Sequence, residues 1–190
     1  LAEVGKKMSF VFQSPTLMPW ASVEKNVRLP LDLAGIDPQT ANEKVKEVLA
    51  LVGLSKFATS LPRALSGGMQ MRVSIARGLV TDPDLLLMDE PFGALDEITR
   101  HRLDAELLDL WQKKKLTVIF VTHSIHEAVY LSNRVVMMAA RPGRIVEEFQ
   151  IPEPYPRHAD FMVTTGFSQH AKQLQDSLMR ASAGQEEHFS

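Results

Sequence analysis

Two short segments of the chain carry residue types suited to phosphate chemistry. The first is Leu65-Ser66-Gly67-Gly68-Met69-Gln70, where paired glycines stand at a predicted helix start. Glycine lets backbone N–H groups approach an anion closely, and the helix dipole favours negative charge at that end. The second is the apolar run Leu85–Met88 followed by Asp89 and Glu90. Carboxylates after a buried strand can hold a metal ion and a water molecule, so the two segments together indicate nucleotide phosphate chemistry.

The elements around these segments alternate between strand and helix. Met8–Phe12 and Leu116–Val121 are further apolar, β-rich runs. Ser66 is a suitable N-cap for a helix to about Val80, and Asp96 is a suitable N-cap for the next helix. Because Leu116–Val121 is almost continuously apolar, we expect it to be buried on both faces of a parallel sheet. The alternation predicts an α/β fold.

Glycine and proline positions divide the chain further into segments. Residues 14–65 are predicted to form a mainly helical insert, with a helix start at Asp37-Pro38 and a stop at Gly53. Two late strands flank Arg141-Pro142-Gly143-Arg144 and indicate a hairpin. Prolines at 152, 154 and 156 mark a boundary. We therefore expect a domain over 1–151 containing the helical subdomain 14–65, and a tail over 152–190 with one helix.

The overall composition excludes several classes of protein. The net charge of −2 gives no basic field for nucleic acid or anionic lipid. The absence of cysteine excludes disulfide frameworks and thiolate metal sites. No apolar run approaches the ~18 residues of a membrane span, so we expect any membrane role to depend on a partner.

On these motifs and their order, the chain resembles the ATP-binding subunits of ABC transporters over roughly residues 8 to 150. Within that family it is most similar to importers of the nitrate, sulfonate and taurine group. The stretches that carry this similarity are 11–20 (VFQSPTLMPW), 89–96 (DEPFGALD) and 140–145 (ARPGRI). The resemblance implies a P-loop NTPase (RecA-like) core with a mostly parallel sheet and an inserted α-helical subdomain.

The resemblance also implies roles for the signature motif and the Walker B acids. Ser66, Gly67, Gly68 and Gln70 would contact ATP bound by a partner subunit. An isolated Ser-Gly-Gly sequence is more often a plain helix N-cap, but its spacing to Asp89-Glu90 favours the signature motif. Asp89 would bind ATP and position Mg²⁺, partly through water, and Glu90 would be the catalytic carboxylate that polarises the attacking water. An isolated Asp-Glu pair is otherwise an ordinary solvated turn.

Three further residues match family motifs. Gln13 matches the Q-loop glutamine, which approaches ATP, Mg²⁺ and the water. His123 matches the catalytic switch histidine at the γ-phosphate, and the alternative is a structural histidine. Asp96 matches the D-loop aspartate, which would be both a helix cap and a contact to ATP across the dimer. We expect Met18 and Trp20 to lie either in the core or near the groove that binds the coupling helix of a permease.

One expected motif is missing from the 190 residues. No segment reads G-x-x-x-x-G-K-S/T, the phosphate-binding P-loop. The Gly5-Lys6 pair is followed by Lys7 and precedes a strand. The chain also opens at Leu1, so we expect it to be part of a longer protein that lacks here its N-terminal strands and P-loop. We expect this chain alone to bind ATP poorly, to be inactive, and to have an unprotected sheet edge.

The resemblance implies an importer ATPase with ATP and Mg²⁺ as cofactors. Its partners would be transmembrane permease subunits, a second ATPase subunit in a homodimer, and a separate solute-binding protein. It would lie peripherally on the cytoplasmic face of the membrane. The alternative is a truncated or degenerate, non-catalytic module that contributes only the surface with its signature motif to a partner. An ABC-type ATPase acting on DNA or the ribosome is disfavoured by the acidic net charge, and no nucleic-acid partner is expected.

Overall fold

The computed structural model describes residues 7–139 and 143–186, with side chains up to Ala181. It divides into two compact units, Leu1–Val121 and Thr122–Ser190. Within the described ranges, every helix falls short of the length or apolar character needed to cross a bilayer. Gly5-Lys6 lies outside the described residues. The predicted domain boundaries at 14, 65 and 151 stay predictions.

The centre of the first unit is a parallel sheet of three strands in the order β1-β2-β3. These strands are β1 (Met8–Val11), β2 (Leu85–Asp89) and β3 (Thr117–Val121). Val11 pairs with Met88 in the register of β1 and β2, and Asp89 pairs with Val121 in that of β2 and β3. The predicted α/β class is confirmed. The carboxyl ends of all three strands lie at one edge of the sheet, because the strands are parallel.

Only one face of this sheet is fully packed. Val11, Leu86 and Met88 are buried on one face, where α3 (Gly67–Leu79) lies against them at Gly78. On the other face Ile119 is 52% exposed and Phe10 is 50% exposed. The expectation that Leu116–Val121 is buried on both faces is therefore wrong for the described structure. An apolar run shows that a strand tolerates burial, but packing elements decide which face is covered.

Helices dominate the segment between β1 and α3, as predicted. They are α1 (Val23–Leu33) and α2 (Pro38–Leu51), followed by single 3₁₀ turns at Ser55–Phe57 and Pro62–Ala64. Asp37 caps α2 by accepting hydrogen bonds from the N–H groups of Gln39 at 3.1 Å and Thr40 at 3.0 Å. Gly53 ends this stretch with a φ of +71°, a conformation that glycine adopts without strain. The last helix of the first unit is α4 (Glu97–Lys114).

The second unit contains a hairpin between two helices. Its elements are α5 (Ile125–Leu131), β4 (Arg134–Ala139), β5 (Arg144–Gln150), a 3₁₀ turn at Ala159–Val163 and α6 (Thr165–Glu186). The strands β4 and β5 pair antiparallel, as predicted. Ala140 at the end of the first predicted strand, and Arg141 and Pro142 in the predicted turn, lie outside the described residues. Phe167 and Leu174 of α6 are buried, as expected for the amphipathic helix predicted in the tail.

Arg157 connects the start of the tail to the rest of the second unit through hydrogen bonds. The residue is 5% exposed, and its guanidinium donates five hydrogen bonds to main-chain carbonyls. The acceptors belong to Val129, Tyr130, Ser132, Ile151 and Glu153, at 2.8–3.1 Å. It also lies over the ring of Tyr155, 4.2 Å from the ring centroid. The prolines after β5 therefore do not begin a loose tail.

Candidate functional site

The Ser66 turn opens α3 as the sequence predicts. Ser66 is the N-cap, and its Oγ accepts a hydrogen bond from the N–H of Met69 at 3.3 Å. Ser66 and Gly67 are both exposed at the helix start. The first N–H groups of a helix lack intrahelical partners, so this exposed turn offers donors to an anion.

Gly68 has a second, purely steric reason to be glycine. It is buried, and a Cβ on it would lie 2.8 Å from Cγ2 of Thr99 on α4. A Cβ on Gly67 would lie 3.4 Å from Leu95. Thr99 also donates its N–H to Asp96, so the Ser66 turn and the Asp96 cap pack against each other.

Gln70 faces the loop that precedes α3. Its Nε2 donates hydrogen bonds to the carbonyls of Pro62 at 3.1 Å and Leu65 at 3.3 Å. These bonds hold the residues leading into Ser66. In this structure Gln70 thus supports the turn, and its predicted contact with ATP stays a prediction.

Asp96 is the N-cap of α4, as predicted. Its Oδ1 accepts the Thr99 N–H at 3.0 Å. Hydrogen bonds from Thr99, first from its N–H and then from its side chain, lower the pKa of Asp96 below its ordinary value. The exposed carboxylate is therefore charged at neutral pH, and its contact to ATP across a dimer stays a prediction.

The acid pair stands at the carboxyl edge of the sheet. Asp89 is the last residue of β2 and is exposed. Glu90 follows with a φ of +42°, and its N–H donates to the Val121 carbonyl at 2.9 Å. A non-glycine residue in this left-handed region costs about 1–3 kcal/mol, and such residues concentrate at functional sites. The hydrogen bond to β3 holds Glu90 in that conformation.

Gln13 and Glu90 converge on Gly93. A Cβ built on Gly93 would lie 3.1 Å from Nε2 of Gln13 and 3.7 Å from Oε2 of Glu90. The turn is closed by the Gly93 N–H, which donates to the Glu90 carbonyl at 3.1 Å. Glycine at 93 therefore leaves room for an amide and a carboxylate to share one small space. The sequence prediction did not include Gly93, although the turn-forming Pro91-Phe92-Gly93 run was a usable signal.

His123 belongs to the second unit and lies between β3 and α5. It is exposed, and a hydrogen-bonded turn holds it. The Thr122 hydroxyl accepts the Ser124 N–H at 2.9 Å and donates to the buried carboxylate of Glu127. The Ser124 hydroxyl accepts the Glu127 N–H at 3.3 Å. Glu127 was missed at the sequence level, although Ser124 and Glu127 have capping-box spacing.

The predicted residues of the first unit thus fall into two groups. One group lies at the carboxyl edge of the sheet, where Gln13 and Glu90 approach Gly93 and Asp89 is the last residue of β2. The other joins the starts of α3 and α4 and contains Ser66, Gly67, Gly68 and Asp96. No group of three or more His, Asp or Glu side chains within 7–139 and 143–181 could hold a metal ion by itself.

Several known proteins have sequences similar to that of this chain. A family model described as ABC transporter matches residues 1–93. An uncharacterized ABC transporter ATP-binding protein of Methanocaldococcus jannaschii is 54% identical over 153 residues, which are 80% of this chain and 57% of that protein. The aliphatic sulfonates import ATP-binding protein SsuB of Bacillus cereus is 48% identical over 157 residues, 83% of this chain and 61% of that protein.

The fold is shared as well. The solved structure of cbiO1 from Clostridium perfringens, part of the ABC transporter complex cbiONQ, superposes with a TM-score of 0.70 at 26% identity. The match covers 76% of this chain and 57% of that one. In both sequence and fold, the chain is similar to the ATP-binding proteins of ABC transporters. The chain spans 57–61% of the length of the two sequence relatives. The resemblance read from the motifs is confirmed, including the likeness to a sulfonate importer.

Proposed function

We propose that this chain carries part of the catalytic site of an ATP-hydrolysing importer subunit of the ABC type. The observation that carries the proposal is the convergence of the Gln13 amide and the Glu90 carboxylate over Gly93. Glu90 polarises the water that attacks the γ-phosphate. Phosphoryl transfer needs positioning and charge stabilisation more than covalent help from the protein. A carboxylate held in a strained, hydrogen-bonded turn suits that positioning role.

Mg²⁺ fits the oxygen donors at this edge of the sheet. Magnesium in nucleotide sites is usually held by one or two carboxylates, waters and substrate phosphates. The exposed Asp89 supplies a carboxylate and Gln13 supplies an amide oxygen, whereas the described residues form no complete protein cage. Asp89 and Gln13 would hold the ion, partly through water. The bound ion would neutralise charge on the phosphates.

The Ser66 turn serves a second ATP site. In our proposal Ser66, Gly67 and Gly68 bind the γ-phosphate held by another ATPase subunit, with Gln70 supporting the turn and Asp96 at the same interface. Ser66 and Gly67 are exposed at the start of α3, and a helix N-terminus favours an anion. His123, in its hydrogen-bonded turn, contacts the γ-phosphate of the ATP held by its own subunit. We propose a homodimer with two such composite sites.

The proposed transport function depends on partner proteins. We propose that the subunit lies on the cytoplasmic face of the membrane, binds permease subunits, and powers uptake of a small solute of the nitrate, sulfonate or taurine class delivered by a separate binding protein. The relative in Bacillus cereus is named for the import of aliphatic sulfonates, which supports this solute class. Trp20 is 78% exposed and Met18 is half-buried, which favours a docking surface over the core for Trp20.

A second candidate function rests on the missing P-loop. Because the 190 residues contain no G-x-x-x-x-G-K-S/T segment, these residues alone should not bind the β- and γ-phosphates tightly and should not hydrolyse ATP. They would then contribute only the Ser66 turn to a complete partner. Binding of labelled ATP to the 190-residue chain at micromolar affinity would contradict this.

Glu90→Gln in the complete gene product tests the main proposal. We expect kcat to fall at least 100-fold while ATP affinity changes less than about three-fold, because the amide cannot polarise water but keeps the size of the side chain. Glu97→Gln, at an exposed acid in the first turn of α4, is the matched control and should retain activity. Hydrolysis at the normal rate in Glu90→Gln would refute the role of Glu90.

A further inference from the structure

Arg77 connects α3 to the segment that follows Gln13. It lies in the last turn of α3, at the opposite end of the helix from Ser66. Its Nη1 donates to the Thr16 carbonyl at 2.9 Å. Its Nη2 donates to the Pro15 carbonyl and to the Thr16 hydroxyl, each at 2.9 Å. Because a guanidinium is planar, these three bonds fix both the position and the orientation of residues 15 and 16.

The charge of Arg77 is directed at backbone groups. It takes part in none of the ion pairs formed among residues 7–139 and 143–181. Arg77 is half-buried, and burial lowers the pKa of its guanidinium from the ordinary value. An arginine nevertheless stays charged in proteins, so its bonds to the two carbonyls are charge-assisted.

Thr16 is held in a backbone conformation that is unfavourable for a threonine. Its φ is +47°, in the left-handed region that β-branched residues avoid. Arg77 bonds both the carbonyl and the hydroxyl of this residue. Strained backbone persists only where surrounding contacts determine it. Losing Arg77 should therefore let Thr16 relax towards an extended conformation and move the neighbouring chain.

A second side chain anchors the far end of the same segment. Asn26 of α1 is fully buried, and its Oδ1 accepts the Met18 N–H at 2.7 Å. Its Nδ2 donates to the carbonyls of Met18 at 3.1 Å and Ala21 at 3.0 Å. Leu17 alone separates the two anchors. Movement at Thr16 therefore has little room to spread towards α1 and is directed back towards Gln13.

We propose that Arg77 is a positioning residue that couples the Ser66 turn to Gln13 through α3. The inference rests on the proposed function, in which the Ser66 turn and Gln13 serve different ATP sites. Arg77 belongs to the last turn of α3, so its guanidinium follows any displacement of that helix. When ATP engages the Ser66 turn, displacement of α3 is passed by Arg77 to Pro15 and Thr16. Gln13 then shifts relative to Glu90.

Hydrogen exchange on the complete gene product tests the mechanical link. Within residues 13–18 of Arg77→Gln, we expect the backbone amides of Gln13, Ser14, Thr16 and Leu17 to exchange at least ten-fold faster, while amides of α3 keep their normal rates. Pro15 has no N–H, and the Met18 N–H stays bonded to Asn26. Arg77→Lys should be intermediate, because an ammonium keeps the charge without the planar fork. Arg102→Gln, at an exposed arginine of α4, is the control. Unchanged exchange at 13–18, or equal acceleration throughout α3, would overturn the proposal.

ATPase kinetics separate positioning from simple structural support. For Arg77→Gln we expect kcat to fall about ten-fold with the KM for ATP within two-fold, and Arg77→Lys to recover part of kcat. Should Arg77→Gln not fold, a fall of about three-fold in kcat alone for Arg77→Lys is the criterion. Faster exchange at 13–18 with unchanged kcat would refute coupling. An active Glu90→Gln would refute the proposed function and leave the exchange result standing.

Discussion

Gly68 of α3 and Thr99 of α4 approach so closely that a Cβ on Gly68 would lie 2.8 Å from the Thr99 Cγ2. This contact joins the Ser66 turn to the helix that Asp96 caps. The second glycine of the signature motif is thus required by helix packing, whatever its role towards ATP. Loss of activity in a Gly68 variant would not by itself report on phosphate binding.

We predict that Gly68→Ala lowers the free energy of unfolding by about 1–3 kcal/mol, the usual cost of overpacking. Removing Cγ2 with Thr99→Ser in the same chain should restore about half of the loss. Gly67→Ala, whose Cβ would meet Leu95 at 3.4 Å, is the control and should cost less than about 0.5 kcal/mol. Urea titration followed by circular dichroism measures all three, and equal losses at both glycines would contradict the packing argument.

The exposed face of the sheet should make the 190-residue chain prone to association. Phe10, Ile119 and Val121 are each at least half exposed and lie on this face. We predict that Ile119→Lys reduces fluorescence of the apolar dye ANS and raises solubility. Ile98→Lys, at a residue 84% exposed on α4 and away from the sheet, should change both much less. Equal effects would show that the face is not the source.

Arg157 should be the most important single cation for the stability of the second unit. Arg157→Met keeps much of the side-chain volume but leaves five carbonyls without their donor, and we expect a loss of at least about 3 kcal/mol. Arg134→Met, at an exposed arginine 3.5 Å from Glu148, should cost less than about 1 kcal/mol. Hydrogen exchange in α5 and α6 locates the effect, and protection equal to wild type would refute it.

Asp37 should contribute to stability only above acidic pH. Hydrogen bonds from Thr40, first from its side chain and then from its N–H, lower the folded pKa below the ordinary 3.8. The stabilisation is therefore present above pH 3.8 and is lost as pH falls through the lowered value. Asp37→Asn keeps the cap without the charge, so its thermal midpoint should fall less steeply below pH 4. Asp109→Asn, at an exposed position on α4, is the control. Parallel pH curves for wild type and Asp37→Asn would contradict the prediction.

The sequence predicted those features that depend on a few neighbouring residues. Ser66, Asp37 and Asp96 each cap the helix that follows them, because a side-chain oxygen placed at a helix start has the same partner in almost any fold. The alternation of strands and helices along the chain and the position of the acid pair after β2 also followed from local patterns. Gly93 and Glu127 were missed although a turn-forming run and a capping-box spacing marked their positions, and the approach of Gln13 to Gly93 depends on a segment far away in the chain.

The amino-acid sequence by itself determined the resemblance to ABC ATP-binding proteins, the α/β class and the identity of the chemical groups at the site. Only the tertiary structure decided that Gln13 meets Glu90 over Gly93, that Arg77 holds Thr16, and that one face of the sheet is exposed. The reason is physical. Caps and strands arise from interactions within a few residues, whereas these contacts join segments far apart in the chain and exist only once the helices have packed.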